Sequence, residues 1–164
     1  NFEMVDRILP LNHNGKIIIR MSVNPSEIIN KVEFGTSRLK GRIEAINKLV
    51  EAGYKIGILI APVILVDNWQ QLYTELIQTL NSELSEKAKK MAFFEIIFMT
   101  YSYVHTKINE EAFPEAINLY DKEIMTGRGN GKYGYKEKNR IEAEKFLREQ
   151  MNKYFPNNRI EYVV

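Results

Sequence analysis

Short apolar runs rich in β-branched residues alternate along this chain with segments whose apolar residues recur at helical spacing. The apolar runs are residues 16–21, 55–60 and 93–99, and the helical patterns are residues 26–32, 37–52 and 69–84. This alternation predicts an α/β fold of parallel βα units, in which helices cover a sheet of buried strands. Three such strands are too few to close a barrel, so we expect either part of a barrel or a small open sheet.

The segments between and after these units carry weaker patterns. We predict an apolar loop at residues 61–66, because Pro62 cannot donate to a strand ladder. Thr36 or Ser37 is the predicted cap of the second helix. A long polar and aromatic connection is expected at residues 100–114, and one or two helical turns at 115–124.

The last part of the chain is predicted to differ from the βα units. Its glycine-rich stretch favours a β-hairpin or a flexible loop, and it is followed by an amphipathic helix at residues 137–154 and a strand at 159–164. We therefore divide the chain into βα units at 1–110 and a C-terminal extension at 111–164, with a basic hairpin at 125–136.

Several functional classes are excluded by composition. The 164 residues contain no cysteine, so this chain forms no disulfide, has no thiol nucleophile and ligates no iron–sulfur cluster. With two histidines and no carboxylates at ligand spacing, we expect no metal site. The longest apolar run is about half the length that a membrane helix needs, and the N-terminus has no leader pattern, so we expect a cytoplasmic protein without membrane contact.

Chemistry in parallel βα folds is carried at the carboxyl ends of the strands. The residues at those ends that could contact a ligand are Ser22, Asn24, Ala61, Tyr101, Tyr103 and His105. The plain alternative is that Ser22 and Asn24 cap a helix, that the tyrosines are packing residues, and that His105 is solvated.

The glycine-rich stretch combines cations with aromatic rings. Its residues Arg128, Lys132 and Lys136 belong to a segment in which five Lys and Arg against one Glu give a local charge of +4. Tyr133 and Tyr135 alternate with the cations and would share one face of a strand. Such a hairpin suits phosphate contacts and base stacking, although a solvated basic loop has the same composition. The formal G-x-G-x-x-G match is discounted, because no apolar strand precedes it and no helix follows its last glycine.

Several stretches, taken in order, resemble the spore photoproduct lyase family of radical S-adenosylmethionine enzymes. These stretches are Ser22-Val-Asn-Pro, Glu33-Phe-Gly-Thr-Ser-Arg-Leu, Arg42-Ile-Glu-Ala-Ile, Ala52-Gly-Tyr, Ala61-Pro-Val-Ile, Phe98-Met-Thr-Tyr, Gly131-Lys-Tyr, Tyr154-Phe-Pro and Arg159-Ile-Glu-Tyr. The similarity extends over nearly the whole chain.

The resemblance implies a partial (β/α)6 barrel and a DNA-repair reaction. In the family, a [4Fe–4S] cluster and S-adenosylmethionine generate a radical that removes a hydrogen from a thymine dimer, the spore photoproduct, and two thymines are restored. The lesion is flipped out of duplex DNA, which costs least for a poorly stacked base.

The family's C-x3-C-x2-C cysteines and its hydrogen-donating cysteine are missing here, and both belong to the family's N-terminal half. The chain therefore resembles the C-terminal half alone, and we expect it to be inactive without an N-terminal half that carries the cluster. The resemblance assigns Ser22 and Asn24 to the methionine part of the cofactor and Ala61 to adenine. It assigns the aromatic loop at Tyr101, Tyr103 and His105 and the hairpin residues to the side that faces the lesion.

Two alternatives remain open from the sequence. The chain could be a DNA-binding fragment without chemistry that uses the basic hairpin. It could also be a non-functional remnant, and a sheet with uncovered edges would then aggregate or dimerise.

Overall fold

The computed structural model describes residues 2–114 and 117–164. After a 3-10 helix at Phe2–Arg7, the strands are β1 (Ile18–Val23), β2 (Lys55–Val63), β3 (Phe93–Phe98), β4 (Thr100–Ser102), β5 (Met125–Gly129), β6 (Lys132–Tyr135) and β7 (Ile160–Val163). The helices are α1 (Ser26–Val32), α2 (Leu39–Glu51), α3 (Trp69–Glu83), α4 (Glu86–Met91), α5 (Tyr103–Ala112) and α6 (Glu137–Tyr154).

Four parallel strands form the main sheet, in the order β1-β2-β3-β7. Alternation along β1 buries Met21 and Val23 on one face and leaves Arg20 and Ser22 exposed on the other. Helix α2 packs against β1 and β2, and α4 packs against β2. The hydrophobic core therefore lies between the helices and one face of the sheet, as the prediction of parallel βα units requires.

A second, three-stranded antiparallel sheet has the order β4-β6-β5. Only Met99 separates β3 from β4, so this small sheet begins at the carboxyl end of the parallel sheet. The predicted hairpin is present as β5 and β6, and the predicted helix over residues 137–154 matches α6. Helix α6 packs against α3, where the rings of Trp69 and Phe146 meet edge to face at 5.1 Å.

Strand β7 belongs to the predicted C-terminal extension, yet it pairs with β3 in the main sheet. The two predicted parts of the chain therefore share one sheet. The division after residue 110 stays a prediction.

The predicted loop at residues 61–66 is wrong in its first half, because β2 continues to Val63. Regular pairing of β2 with β3 shifts between Ile60 and Val63, and Pro62 lies within that irregularity. A proline is tolerated there because its missing N–H is not needed in the ladder.

The predicted connection over residues 100–114 is also wrong, since it contains β4 and α5. Strand β4 is stabilised by pairing with β6, about thirty positions later, which no local pattern reveals. Over the described residues 117–124 the structure has turns instead of helix. Asn118 Oδ1 and Asp121 Oδ1 each accept from a backbone N–H two residues on, and such bonds compete with helix formation.

Helix α4 was not predicted, and α2 begins after Arg38, not after Thr36 or Ser37. Thr36 Oγ1 donates instead to the Glu33 carbonyl at 2.7 Å. Within the described ranges, no helix is both long enough and apolar enough to cross a lipid bilayer.

Candidate functional site

The face of the parallel sheet that lies opposite the helices is open. Parallel register places Arg20 beside Gly57 and Ser22 beside Leu59. Side chains of Ser22 and Leu59 are exposed and half-buried, respectively. In a parallel sheet, this face near the carboxyl ends of the strands is where ligands bind.

Ser22 and Ala61 lie on the same face of the sheet near this carboxyl end. Ser22 is in register with Leu59, and alternation from Leu59 places Ala61 on the same open face, at the point where regular pairing of β2 with β3 is interrupted. The exposed Ser22 hydroxyl therefore lies on the same face as the small Ala61 side chain, near the end of the neighbouring strand. This leaves room for a ligand to approach the backbone.

Asn24 was predicted beside Ser22, and the structure directs its side chain elsewhere. Asn24 is 0 % exposed. Its Nδ2 donates to Glu33 Oε1 at 2.7 Å, and its Oδ1 faces the hydroxyl of Tyr73 at 3.4 Å. The Asn24 amide is therefore bonded to Glu33 and faces Tyr73, so in this structure it is not available to contact a ligand.

Three tyrosines form a cluster beyond the end of β3. Tyr101 and Tyr133 are cross-strand partners, with ring centroids 6.0 Å apart. Tyr120 lies 5.2 Å from Tyr101 and 5.0 Å from Tyr133. Sequence reasoning missed Tyr120, because its segment was predicted to be helical and nothing local relates it to the other two.

A cleft of about 320 Å³ opens beside this cluster. Tyr101 lines it together with Phe34 and Phe113, whose rings stack with centroids 5.4 Å apart. The cleft does not include Ser22 or Ala61, so the aromatic surface and the strand ends are neighbouring but separate features of this edge.

The hairpin owes its shape to its glycines. Gly129, Asn130 and Gly131 all have positive φ, and Asn130-Gly131 forms the two-residue connection between β5 and β6, as the twist of a tight hairpin favours. The Arg128 side chain lies across Gly134, and a Cβ at Gly134 would come within 3.1 Å of Arg128 Nε. Arg128 Nη2 donates to the Tyr135 carbonyl at 3.0 Å.

The predicted DNA-contacting residues of the hairpin differ in what they can reach. Lys132 is exposed at the start of β6 and Tyr133 is half-buried. Lys136 is exposed, and its Nζ donates to the Glu123 carbonyl at 2.8 Å. Tyr135 is only 2 % exposed: its hydroxyl accepts from the Leu65 N–H at 2.9 Å, and its ring packs edge to face on Phe98.

Tyr135 is thus a core residue, and in this structure its ring is not accessible to a base. The sequence predicted that Tyr133 and Tyr135 share one strand face, but of the two rings only that of Tyr133 is partly exposed. Burial raises the pKa of Tyr135 to about 12, against the opposing effect of the Leu65 N–H. Tyr103 is exposed at the start of α5 and its backbone N–H donates to the Gly131 carbonyl. The side chain of His105 falls outside the described part of the structure.

A charged network on the open face was not predicted. Glu95, fully buried in β3, accepts from Arg20 Nε and from the Tyr162 hydroxyl, each at 2.9 Å. The hydrogen bond to Glu95 and its charge raise the pKa of Arg20, and the separate hydrogen bond from the Tyr162 hydroxyl to Glu95 raises the pKa of Tyr162. The available signal was a lone carboxylate inside an apolar strand, which must find partners when buried.

The chain does not fit an iron–sulfur cluster. It contains no cysteine, and the described residues include no group of three side chains suited to hold a metal ion. The open strand ends do fit part of a small polar ligand, because they combine the Ser22 hydroxyl with the irregular strand end at Ala61.

Comparison with known proteins gives one consistent family. The family model for spore photoproduct lyase matches residues 1–164. The chain is 34 % identical to the spore photoproduct lyase of a Geobacillus species and 33 % identical to that of Bacillus subtilis, in each case over 98 % of this chain and 48 % of the relative. The chain thus spans about half the length of the curated relatives it matches.

Solved structures agree. A spore photoproduct lyase variant with bound AdoMet and dinucleoside spore photoproduct superposes with a TM-score of 0.90 and 31 % identity, over 99 % of this chain and 49 % of that one. Spore photoproduct lyase complexed with dinucleoside spore photoproduct gives 0.91 over the same shares. This α/β chain corresponds to the C-terminal half of these proteins. The chain belongs to the spore photoproduct lyase family.

Proposed function

We propose that this chain supplies the carboxyl-terminal half of a lesion-repair active site, and that it acts together with an N-terminal half that carries the cluster cysteines. The observation that carries the proposal is the joint placement of Ser22 and Ala61 on the open face, at the carboxyl ends of adjacent strands. In a partial barrel, that face would be the interior, and the second half would cover it.

In this proposal, the Ser22 hydroxyl and the backbone at Ala61 hold S-adenosylmethionine on one side. Together with a cluster held outside this chain, the cofactor would supply the one-electron chemistry of repair. Covering the open face would also exclude water from the site, which strengthens the polar contacts made there.

The proposed DNA-facing surface is the hairpin with the tyrosine cluster. Exposed Lys132 and Lys136 neutralise phosphate, and the rings of Tyr101, Tyr103 and Tyr133 offer surfaces for a base or sugar. The solved relatives hold dinucleoside spore photoproduct, which supports a damaged thymine pair in DNA as the substrate. Arg128 contributes charge and Tyr135 supports the hairpin from the core.

The test is to combine this chain with a cysteine-bearing N-terminal half, reconstitute iron anaerobically, and measure S-adenosylmethionine cleavage and repair of dinucleoside spore photoproduct. We expect both activities only in the combined sample. Ser22→Ala should raise KM for S-adenosylmethionine several-fold, on the order of one lost hydrogen bond. The matched control Ser82→Ala, an exposed serine on α3, should not. A reconstituted complex that forms and does neither reaction would refute the proposal.

The exposed cations of the hairpin also favour a second candidate function, DNA binding without chemistry. It is tested with this chain alone, by fluorescence anisotropy with duplex DNA at about 50 and 200 mM salt. The double substitution Lys132→Ala, Lys136→Ala should weaken binding and flatten its salt dependence. Lys87→Ala, Lys90→Ala on α4 removes the same charge from two other exposed positions and is the control. If the two double variants bind DNA with equal affinity, the hairpin lysines do not contact DNA, and neither candidate function can rely on them.

A further inference from the structure

A buried polar network lies directly beneath the open strand ends. Arg42 on α2 is 2 % exposed. Its Nη2 donates to Glu33 Oε2 at 2.5 Å and its Nη1 to the Ser22 carbonyl at 3.3 Å. The other carboxylate oxygen of Glu33 accepts from Asn24 Nδ2 at 2.7 Å. The end of β1 is therefore held at two points, the backbone of Ser22 and the side chain of Asn24.

The Arg42 guanidinium is well satisfied where it lies. Its Nε donates to the Ser37 carbonyl at 2.9 Å, and its Nη2 also reaches Thr36 Oγ1 at 2.9 Å. A buried arginine is tolerated when a carboxylate neutralises it and its remaining donors find acceptors. The loop between α1 and α2 thus provides both the counter-charge and the acceptors.

Tyr73 on α3 extends the network to β2. Its hydroxyl accepts from the Ile64 N–H at 2.8 Å, just past the end of that strand. The hydroxyl lies 3.4 Å from Asn24 Oδ1 and 3.5 Å from the Pro62 carbonyl, to which it can donate. Burial raises the pKa of Tyr73 well above its usual value, so the hydroxyl keeps its proton. One side chain therefore touches the ends of both strands.

We propose that Arg42, Glu33, Asn24 and Tyr73 are positioning residues that lock the carboxyl ends of β1 and β2 together, and with them Ser22 and Ala61. A ligand that touches two strands requires their ends at a fixed separation, and packed, hydrogen-bonded supporting groups provide it. The coupling of the strand ends belongs to this chain alone. Its consequence for the cofactor rests on the function proposed above.

The coupling is tested by amide hydrogen exchange on this chain, measured under conditions in which each variant is folded. Glu33→Gln should speed exchange at the amides of Ala61, Val63 and Ile64 about three- to tenfold, the range of one hydrogen bond. Side chains connect Glu33 to these residues through Asn24 and Tyr73. Arg42 and the Ser22 carbonyl give a second connection, through the pairing of β1 with β2. Tyr73→Phe, which removes one oxygen atom, tests the other direction and should speed exchange at Ser22.

The control is Asn47→Ala, which removes a comparable polar bridge that accepts from the Ser85 N–H at 2.8 Å and donates to the Glu83 carbonyl at 3.0 Å. It should leave exchange unchanged at residues 22–24 and at the amides of Ala61, Val63 and Ile64. If Glu33→Gln does not fold, Tyr73→Phe decides alone. Unchanged exchange at the remote strand end in the folded variants overturns the proposal.

The consequence for the cofactor is measured in the reconstituted two-half complex. Tyr73→Phe should raise KM for S-adenosylmethionine about three- to tenfold with little change in kcat, and Asn47→Ala should change neither. Coupled exchange with an unchanged KM overturns the role in cofactor positioning. A wild-type complex without S-adenosylmethionine cleavage refutes the proposed function instead, and leaves the exchange result standing as support for the locked strand ends.

Discussion

At the scale of single residues, the open face depends on a glycine. A Cβ at Gly57 would lie 2.7 Å from Phe93 Cζ and 3.2 Å from Arg20 Cγ. The Phe93 ring lies across β2 and is approached by the Arg20 guanidinium, 5.5 Å from its centroid. Gly57 therefore lets the aromatic ring and the arginine that binds Glu95 settle against the sheet.

Gly57→Ala should destabilise the chain by about 1–3 kcal/mol, because Phe93 must leave its position. The measurement is the free energy of unfolding in urea. The control is Gly41→Ala in α2, where a Cβ meets none of the described residues within 4 Å. This substitution should stabilise the chain by about 0.5–1 kcal/mol. An equal effect of the two substitutions would show that Phe93 does not pack as described.

Burial of Tyr135 makes stability depend on alkaline pH. Its pKa is raised from 10.0 to about 12 in the folded chain, so the stabilising difference is complete below pH 10 and is lost as pH rises toward 12. The unfolded state ionises first and is favoured by about 2–3 kcal/mol across this window. Tyr135→Phe should make that part of the urea-unfolding profile less steep, while Tyr73, whose pKa burial also raises, accounts for the slope that remains.

Tyr154→Phe is the control for this pH series. Hydrogen bonding to Gln78 lowers the pKa of Tyr154, so its removal should not reduce the alkaline loss of stability. A Tyr135→Phe profile parallel to wild type between pH 10 and 12 would contradict a buried phenol.

At the scale of elements, the hairpin combines a tight turn with a short antiparallel sheet. Gly131 has a φ of +68° in the connection between β5 and β6, and its carbonyl accepts from the Tyr103 N–H at 3.1 Å. The turn sets the register of β5 with β6. The bond from Tyr103 to Gly131 continues the pairing of β4 with β6, which brings Tyr133 opposite Tyr101, and it holds the start of α5.

Gly131→Val should cost about 1–2 kcal/mol, because a β-branched residue is strained at positive φ. We also expect weaker DNA binding through a displaced Lys132. Gly127→Val is the control, since Gly127 lies in the same hairpin and a Cβ there has no neighbour within 4 Å among residues 2–114 and 117–164. Thermal unfolding and anisotropy measure the two effects, and equal behaviour of both variants would argue against the positive-φ turn.

At the scale of the whole molecule, the described helices cover one face of the main sheet and leave the other face open. Strand β1 forms one edge of the main sheet, and Ile18 on it is 44 % exposed. Edge strands with exposed apolar residues favour pairing with another chain. The same surface is the one that the proposed N-terminal half would cover.

We expect this chain to associate reversibly when alone, in sedimentation velocity over a concentration series. Ile18→Lys should reduce that association, because a lysine on an edge strand opposes pairing. Ile141→Lys changes another exposed isoleucine, on α6, and should have little effect. If the chain is a monomer at all concentrations, or if both lysine substitutions change its association equally, then the edge strand β1 does not mediate self-association.

The sequence by itself determined the local features of this protein. Residues 26–32 and 137–154 formed the predicted helices. Apolar residues at helical spacing, and Pro25 before the first of these helices, are signals that act within a few turns. The buried strands and the hairpin followed from equally local composition. The family resemblance also rested on short stretches of sequence taken in order, which require no coordinates. The family that they indicated is confirmed.

Only the tertiary structure decided which of these residues act together. Tyr120 joins Tyr101 and Tyr133, Tyr135 enters the core, and Asn24 turns from the predicted ligand site to Glu33. Strand β4 exists because β6 pairs with it. The physical reason is the same in each case: these positions are fixed by hydrogen bonds and packing between segments far apart in the chain, and such contacts leave no local pattern to detect.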